Sequence, residues 1–236
     1  MKIINILILL MSFVLISCQK QQHKKGKSTI SSPGAISSFS PGGQYVMLTF
    51  DDGPHPDITP KILDILKSKR IRATFFVLGM KVAENQHILK RIVDEGHEVA
   101  AHGWNHNAIT KITHAHLVNN LNQTKNAIYT ATNKTPVIYR PPFGLSNADI
   151  NTYITKEQKM KVILWSIDSQ DWEIKDPTII AKNIIDKTEP GDVILCHDVH
   201  QHTVEAVSLI VEGLTKADYE FLTLSQMLSF PDDKPH

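Results

Sequence analysis

A few side chains in this 236-residue sequence have the types and spacing that chemistry needs. Asp51 and Asp52 are adjacent in Thr49-Phe50-Asp51-Asp52-Gly53-Pro54. Two neighbouring carboxylates at the end of an extended run point in different directions, so one can bind a metal while the other accepts a proton. Asp-Gly-Pro is also ordinary turn chemistry. His102 and His106, in His102-Gly103-Trp104-Asn105-His106, are four residues apart. On a helical turn that spacing sets both imidazoles on one face, within reach of one ion. Two histidines and a carboxylate leave coordination positions open for water and substrate. That set suits hydrolysis by Zn²⁺, and it equally suits non-haem iron oxygenases. Arg140 opens Arg140-Pro141-Pro142-Phe143-Gly144, where the prolines stiffen the loop and the guanidinium offers a fixed fork to a carboxylate. His197, with Asp198 beside it, ends the apolar run Val193–Cys196, and more polar groups gather in Asp168–Trp172.

The elements that must position these groups follow from the apolar rhythm. From Tyr45 onward, strand-like runs are predicted at Val46–Phe50, Ala73–Leu78, Glu98–Ala101, Val137–Tyr139, Val162–Trp165, Val193–Cys196 and Phe221–Leu224. Helical patterns lie between them. One begins at Thr59-Pro60, one carries the stripe Ile88, Leu89, Ile92, Val93 and stops at Gly96, and others cover Leu117–Ile128, Ile179–Ile185 and Val204–Leu214. About seven strands alternating with helices imply an α/β fold with a parallel sheet, either open or closed toward a barrel. In such folds active sites form past the ends of the strands, and every group named above falls at one.

Composition narrows the class. Apolar residues are 42% and charged residues 21%, enough for a substantial core, and the formal charge is 25 − 24 = +1, so nothing calls for nucleic acid as a partner. Residues 1–18 combine Lys2 with an apolar stretch too short to span a membrane and end in Leu15-Ile16-Ser17-Cys18, the pattern of an export signal. Small residues before Cys18 resemble a lipobox, which implies lipidation of Cys18 and a lipid-anchored protein of the cell envelope. Gln19 at the next position carries no inner-membrane retention signal, so in a Gram-negative cell the outer membrane, periplasmic side, is expected. Residues 19–44, basic at first and then rich in Ser, Pro and Gly, read as a flexible tether. Without Lys2 and the four tether lysines, 20 bases face 24 acids in the remainder. Cys196 is then a lone thiol, and stability must come from the core.

Taken in order, the groups at Thr49–Pro54, His102–His106, Arg140–Gly144, Asp168–Trp172 and Leu195–His197 resemble the five motifs of the NodB-type polysaccharide deacetylases, carbohydrate esterase family four. The resemblance implies a distorted, incomplete (β/α) barrel of about seven parallel strands over residues 45–236. It further implies removal of acetyl groups from an N-acetylhexosamine polysaccharide. By motif position Asp51 resembles the catalytic base. Asp52, His102 and His106 resemble the ligands of a divalent metal, usually Zn²⁺, with Co²⁺ or another divalent ion possible. Arg140 resembles the group that holds and tunes the base, and the Phe143 backbone N–H the donor that faces the oxyanion. His197 resembles the catalytic acid with Asp171 as its tuning partner, while Trp172 and Leu195 would line the groove for the acetyl methyl. Gly103 departs from the family, which usually has Ser or Thr there to brace the loop, so a looser loop or weaker metal binding is expected. Peptidoglycan leads as substrate, followed by poly-N-acetylglucosamine or chitin oligomers, with O-deacetylation of an acetylxylan type further behind. The alternatives are an inactive carbohydrate-binding lipoprotein on the same fold and, less compatible with strand–helix alternation, an iron oxygenase.

Overall fold

The structure, a computed structural model, describes residues 32–230. The candidate export signal, Cys18 and the tether up to residue 31 lie outside the described residues. Among the described residues there are eight strands: β1 Tyr45–Asp51, β2 Thr74–Val77, β3 Glu98–Ala101, β4 Ile138–Tyr139, β5 Lys161–Val162, β6 Ile167–Asp168, β7 Val193–His197 and β8 Glu220–Phe221. Seven form one parallel sheet in the order β5-β4-β3-β2-β1-β7-β6, and β8 pairs with the start of β1. The helices are α1 Ile58–Lys69, α2 Gly79–Val82, α3 Gln86–Asp94, α4 His114–Thr132, α5 Ala148–Lys156, α6 Pro177–Ile185, α7 Gln201–Lys216 and α8 Leu224–Leu228. The sheet curls into a half-barrel, as the resemblance implies. Among the described residues no helix is long and apolar enough to cross a membrane.

Alternation along the strands explains both the core and the site. On β1, Val46, Leu48 and Phe50 pack outward with the helices, and Met47 packs into a second, inner cluster. Thr49 and Asp51 continue the inward series, because side chains two apart share a face. On β7 the inward series is Val193, Leu195, His197, while Ile194 and Cys196 join the outer core. Ala100 and Ile138 are likewise inner residues, two positions before His102 and Arg140. One register thus fills the inner face with apolar side chains and then delivers a polar group at each strand's C-terminal end.

The structure departs from the sequence reading at four places. Residues expected as tether are packed from Ser32 onward: Ile36 bridges Ile163, Ser38 bridges Asp192, and Phe39 is buried. Ile36 donates to Val162 O at 2.9 Å and accepts from Leu164 N at 2.7 Å, and Phe39 N–H reaches Gly191 O at 2.9 Å. This strap links the edge beyond β5 to the entry of β7. Gly191, at φ +88°, is required there, since a Cβ would overlap the Phe39 carbonyl. Strand β5 is shorter than its apolar run: the Ile163 and Leu164 carbonyls accept from the Arg140 side chain and Leu164 N–H donates to the strap, and the two-residue β6 is too short to show a period. Leu224, expected in a strand, opens α8 instead, behind a Thr223–Gln226 capping box. His102–His106 is a loop rather than a helical turn, with Gly103 at φ +82° and His106 at +59°.

Candidate active site

Arg140 lies fully buried inside the half-barrel and spends every arm of its guanidinium. Its Nη1 donates to Asp51 Oδ1 at 2.7 Å and to Thr49 Oγ1 at 2.8 Å; Nη2 reaches Leu164 O at 2.7 Å and Nε reaches Ile163 O at 3.2 Å. The cation sits 3.9 Å from the centroid of Phe76. A buried charge needs such pairing. Burial pushes the Asp51 carboxyl above the usual range, and Arg140 and His197 pull against that rise. Asp51 is therefore a fixed carboxylate with raised proton affinity.

Asp52, held at φ 75°, turns away from Arg140. Its Oδ1 is 3.5 Å from His102 Nε2 and 3.4 Å from His106 Nε2, yet it is buried with no hydrogen-bond partner among the described residues. Burial pushes His102 down to about 3, so the ring is neutral. Its Nδ1–H donates to the Arg140 carbonyl at 2.8 Å, which leaves the Nε2 lone pair facing Asp52. Ligand atoms of Asp52, His102 and His106 all lie within 4.8 Å of one another. An orphaned carboxylate oxygen facing two imidazoles is a donor set that fits a divalent cation. The loop is braced despite Gly103: Trp104 N–H donates to Asn120 Oδ1 on α4 at 3.0 Å, and Gly103 O and Trp104 O accept from Gly79 N and Met80 N. The looseness expected from Gly103 is therefore met by a side chain from another element.

Across the cleft, His197 Nδ1 bonds Asp171 Oδ1 at 2.6 Å and its backbone N–H donates to Asp171 Oδ2 at 2.8 Å. Thr203 Oγ1 adds a third bond to that carboxylate at 2.7 Å. Burial alone would depress the imidazole, but the hydrogen bond and charge of Asp171 overcome it and raise His197 to about 9. The Asp171 carboxyl is held low: burial pushes it up, and its bonds to His197 and Thr203 outweigh that. Asp198 points elsewhere. It sits behind the Asp51-Asp52 turn, accepting from Thr59 Oγ1 at 2.5 Å, and burial pushes it up to about 7.

These groups face one cleft of about 570 Å³. Leu195 and Trp165 are buried in its floor, while Phe143 and Trp172, 56% and 54% exposed, stand at its mouth. Phe143 is left-handed, φ 61°, between Pro142 and Gly144, and its ring packs edge-on to His106 with centroids 4.3 Å apart. All the residues proposed from sequence within the described region therefore gather at this cleft or bond directly to a group in it. Several contributors escaped the sequence reading, among them Thr49 and Thr203, which hold Arg140 and Asp171, and Trp165, Val199 and His200 in the wall. The threonines give no sequence signal; His200 lies in a visibly histidine-rich run, His197-Asp198-Val199-His200-Gln201-His202.

Comparison with known proteins gives the same picture. Residues 40–163 match the family model described as polysaccharide deacetylase. The chain is 35% identical over 182 residues to the peptidoglycan-N-acetylglucosamine deacetylase PgdA of Listeria monocytogenes, covering 77% of this chain and 38% of that protein. It thus spans about two-fifths of that relative's length. Its backbone superposes on the crystal structure of the Bc1960 peptidoglycan N-acetylglucosamine deacetylase with a TM-score of 0.79, at 33% identity and covering 82% and 92% of the two chains. It is also similar to BA3943, a CE4 family pseudoenzyme from Bacillus anthracis, with a TM-score of 0.78 and 30% identity over 84% and 70% of the chains.

Proposed function

The chain belongs to the polysaccharide deacetylase family, and on that premise we propose that it is a metal-dependent hydrolase removing N-acetyl groups from an N-acetylhexosamine polysaccharide. The observation that carries this reading is the opposed pair in one cleft: a carboxylate of raised proton affinity, Asp51, and a cationic imidazole, His197, with a donor set for a divalent ion beside them. Asp52, His102 and His106 would hold the ion, zinc in this proposal. Such an ion supplies Lewis-acid polarisation of the acetyl carbonyl and makes hydroxide accessible near neutral pH.

The chain's own residues do the rest. Arg140 favours the ionised form of Asp51 and aims it, so Asp51 takes a proton from the attacking water as its oxygen adds to the acetyl carbon. The Phe143 N–H is assigned to the oxyanion; losing such a donor typically costs about 3 kcal/mol of barrier. An amine leaves poorly unless protonated. His197 gives its proton to the nitrogen as the C–N bond breaks, releasing acetate and the free amine. Leu195 and Trp172 would enclose the acetyl methyl.

Peptidoglycan N-acetylglucosamine is the leading substrate, because two of the relatives, PgdA and Bc1960, are peptidoglycan N-acetylglucosamine deacetylases. Lipidation at Cys18 and an envelope location, on the outer membrane in a Gram-negative cell, complete the proposal. The alternative, an inactive glycan binder, is weakened by the presence of Asp51, all three ligands and His197. The deciding measurement is acetate release by the zinc-loaded protein from purified peptidoglycan and from N-acetylglucosamine oligomers. Release that disappears in Asp51→Asn supports the enzyme; no release from either by folded, metal-loaded protein sinks it.

A further inference from the structure

The chain from the end of β7 onward carries three imidazoles close together, His197, His200 and His202, of which the proposed reaction uses only the first. His200 lines the cleft beside Val199, with its ring centroid 6.3 Å from that of His197. His202 is not part of the cleft wall. It stacks on His200, rings 11° from parallel and centroids 5.1 Å apart. Its Nε2–H donates to the Asp171 carbonyl at 2.6 Å, so the ring that backs His200 is fixed to the residue that holds His197. Burial lowers the His200 pKa; Lys175, His202 and His197 act in the same direction and Asp171 opposes them. The wall therefore presents a flat, uncharged ring.

Geometry gives that ring a task. The acid of a deacetylation stands beside the departing nitrogen, and the sugar carries that nitrogen, while the acetyl methyl lies across the scissile bond. The His200 ring lines the same cleft as the acid, with the two centroids 6.3 Å apart, so it lies within reach of a pyranose held at the acid, and the C–H faces of such a sugar pack on aromatic planes. We infer that His200, backed by His202, is a stacking surface for the pyranose ring that bears the acetamido group, and so a specificity-determining residue. The inference rests on the deacetylase reading for the kind of ligand it names.

The test is calorimetric binding of the N-acetylglucosamine tetramer to the zinc-loaded full chain, in an Asp51→Asn background that blocks turnover. His200→Ala should weaken binding about tenfold. His200→Phe should stay within about twofold of the parent, and His200→Asn, which keeps a hydrogen-bonding group without the ring, should fall with Ala. Equal affinities for the parent and His200→Ala overturn the inference, as does rescue by Asn but not Phe, or no tetramer binding to the parent. Acetate release by the unmutated chain is measured in parallel. If it is absent while binding still depends on the His200 ring, the deacetylase reading fails and this one stands; if acetate is released and binding ignores His200, the reverse holds.

Discussion

Asp51 and Asp52 are chemically identical neighbours, and their surroundings give them different work. Arg140, itself held by Thr49, fixes Asp51, while Asp52 Oδ1 meets only imidazole nitrogens. Asp51→Asn should therefore abolish acetate release and leave zinc content near one per chain, whereas His106→Ala should lose both; zinc analysis beside the acetate assay checks this, and wild-type turnover in Asp51→Asn would refute the base. The acid side predicts a pH dependence. His197 titrates at about 9 in the folded chain, against about 6.5 when unfolded. Its pairing with Asp171 therefore stabilises the fold fully below about pH 6.5, and that contribution is lost as pH rises through about 9. In Asp171→Asn burial is opposed only by the more distant charges of Asp51 and Asp52, so the imidazole loses its proton at lower pH, and turnover at pH 8 should drop by about a hundredfold or more. The alkaline limb of the kcat/KM profile should move down from about pH 9, and the fall in urea stability between pH 6.5 and 9 should flatten. An unmoved limb would remove His197 as the acid.

Elements deliver these side chains by period, and that part was legible in the sequence. Inward positions on β1 and β7 run Met47, Thr49, Asp51 and Val193, Leu195, His197, so a polar residue ending an apolar alternation marks the cleft. What the sequence concealed has physical causes. Strand β6 pairs through only two residues, too few for a period. The spacing of His102 and His106 is met by a loop with two left-handed residues, a solution that i,i+4 reasoning does not contain. Thr203 and Asn120 support the site from helices whose patterns show only which face is apolar. The strap is the largest omission: among Ser, Pro and Gly only Ile36 and Phe39 signal burial, and its hydrogen bonds go to backbone atoms more than a hundred residues away. Phe39, 3% exposed in the inner cluster, should be worth about 3 kcal/mol on truncation to Ala. Urea unfolding of Phe39→Ala checks this; a midpoint unchanged from wild type would show that the strap adds nothing to the domain.

At the scale of the whole molecule the strap changes how the domain relates to its proposed anchor. If the domain began at residue 45, the chain after Cys18 would offer 44 − 18 = 26 linking residues; with packing from Ser32 it offers 31 − 18 = 13. At about 3.5 Å per residue that is a reach of at most about 45 Å rather than about 90 Å. The strap enters between β5 and β7, whereas the candidate catalytic groups sit at the C-terminal ends of the strands. A protein so anchored works on polymer close to its own membrane, which suits a cell-wall glycan better than one released to the medium. A single acyl chain holds a membrane only marginally, so stable attachment through Cys18 would take more than one chain or a second membrane-binding signal. Cys18→Ser should accordingly move the protein from the membrane fraction to the soluble fraction, with acetate release per molecule from N-acetylglucosamine oligomers unchanged. Release from intact cell wall by whole cells should fall, because the anchored population near the polymer is lost. Membrane association that survives Cys18→Ser would sink the lipidation proposal and leave residues 1–17 as the anchor.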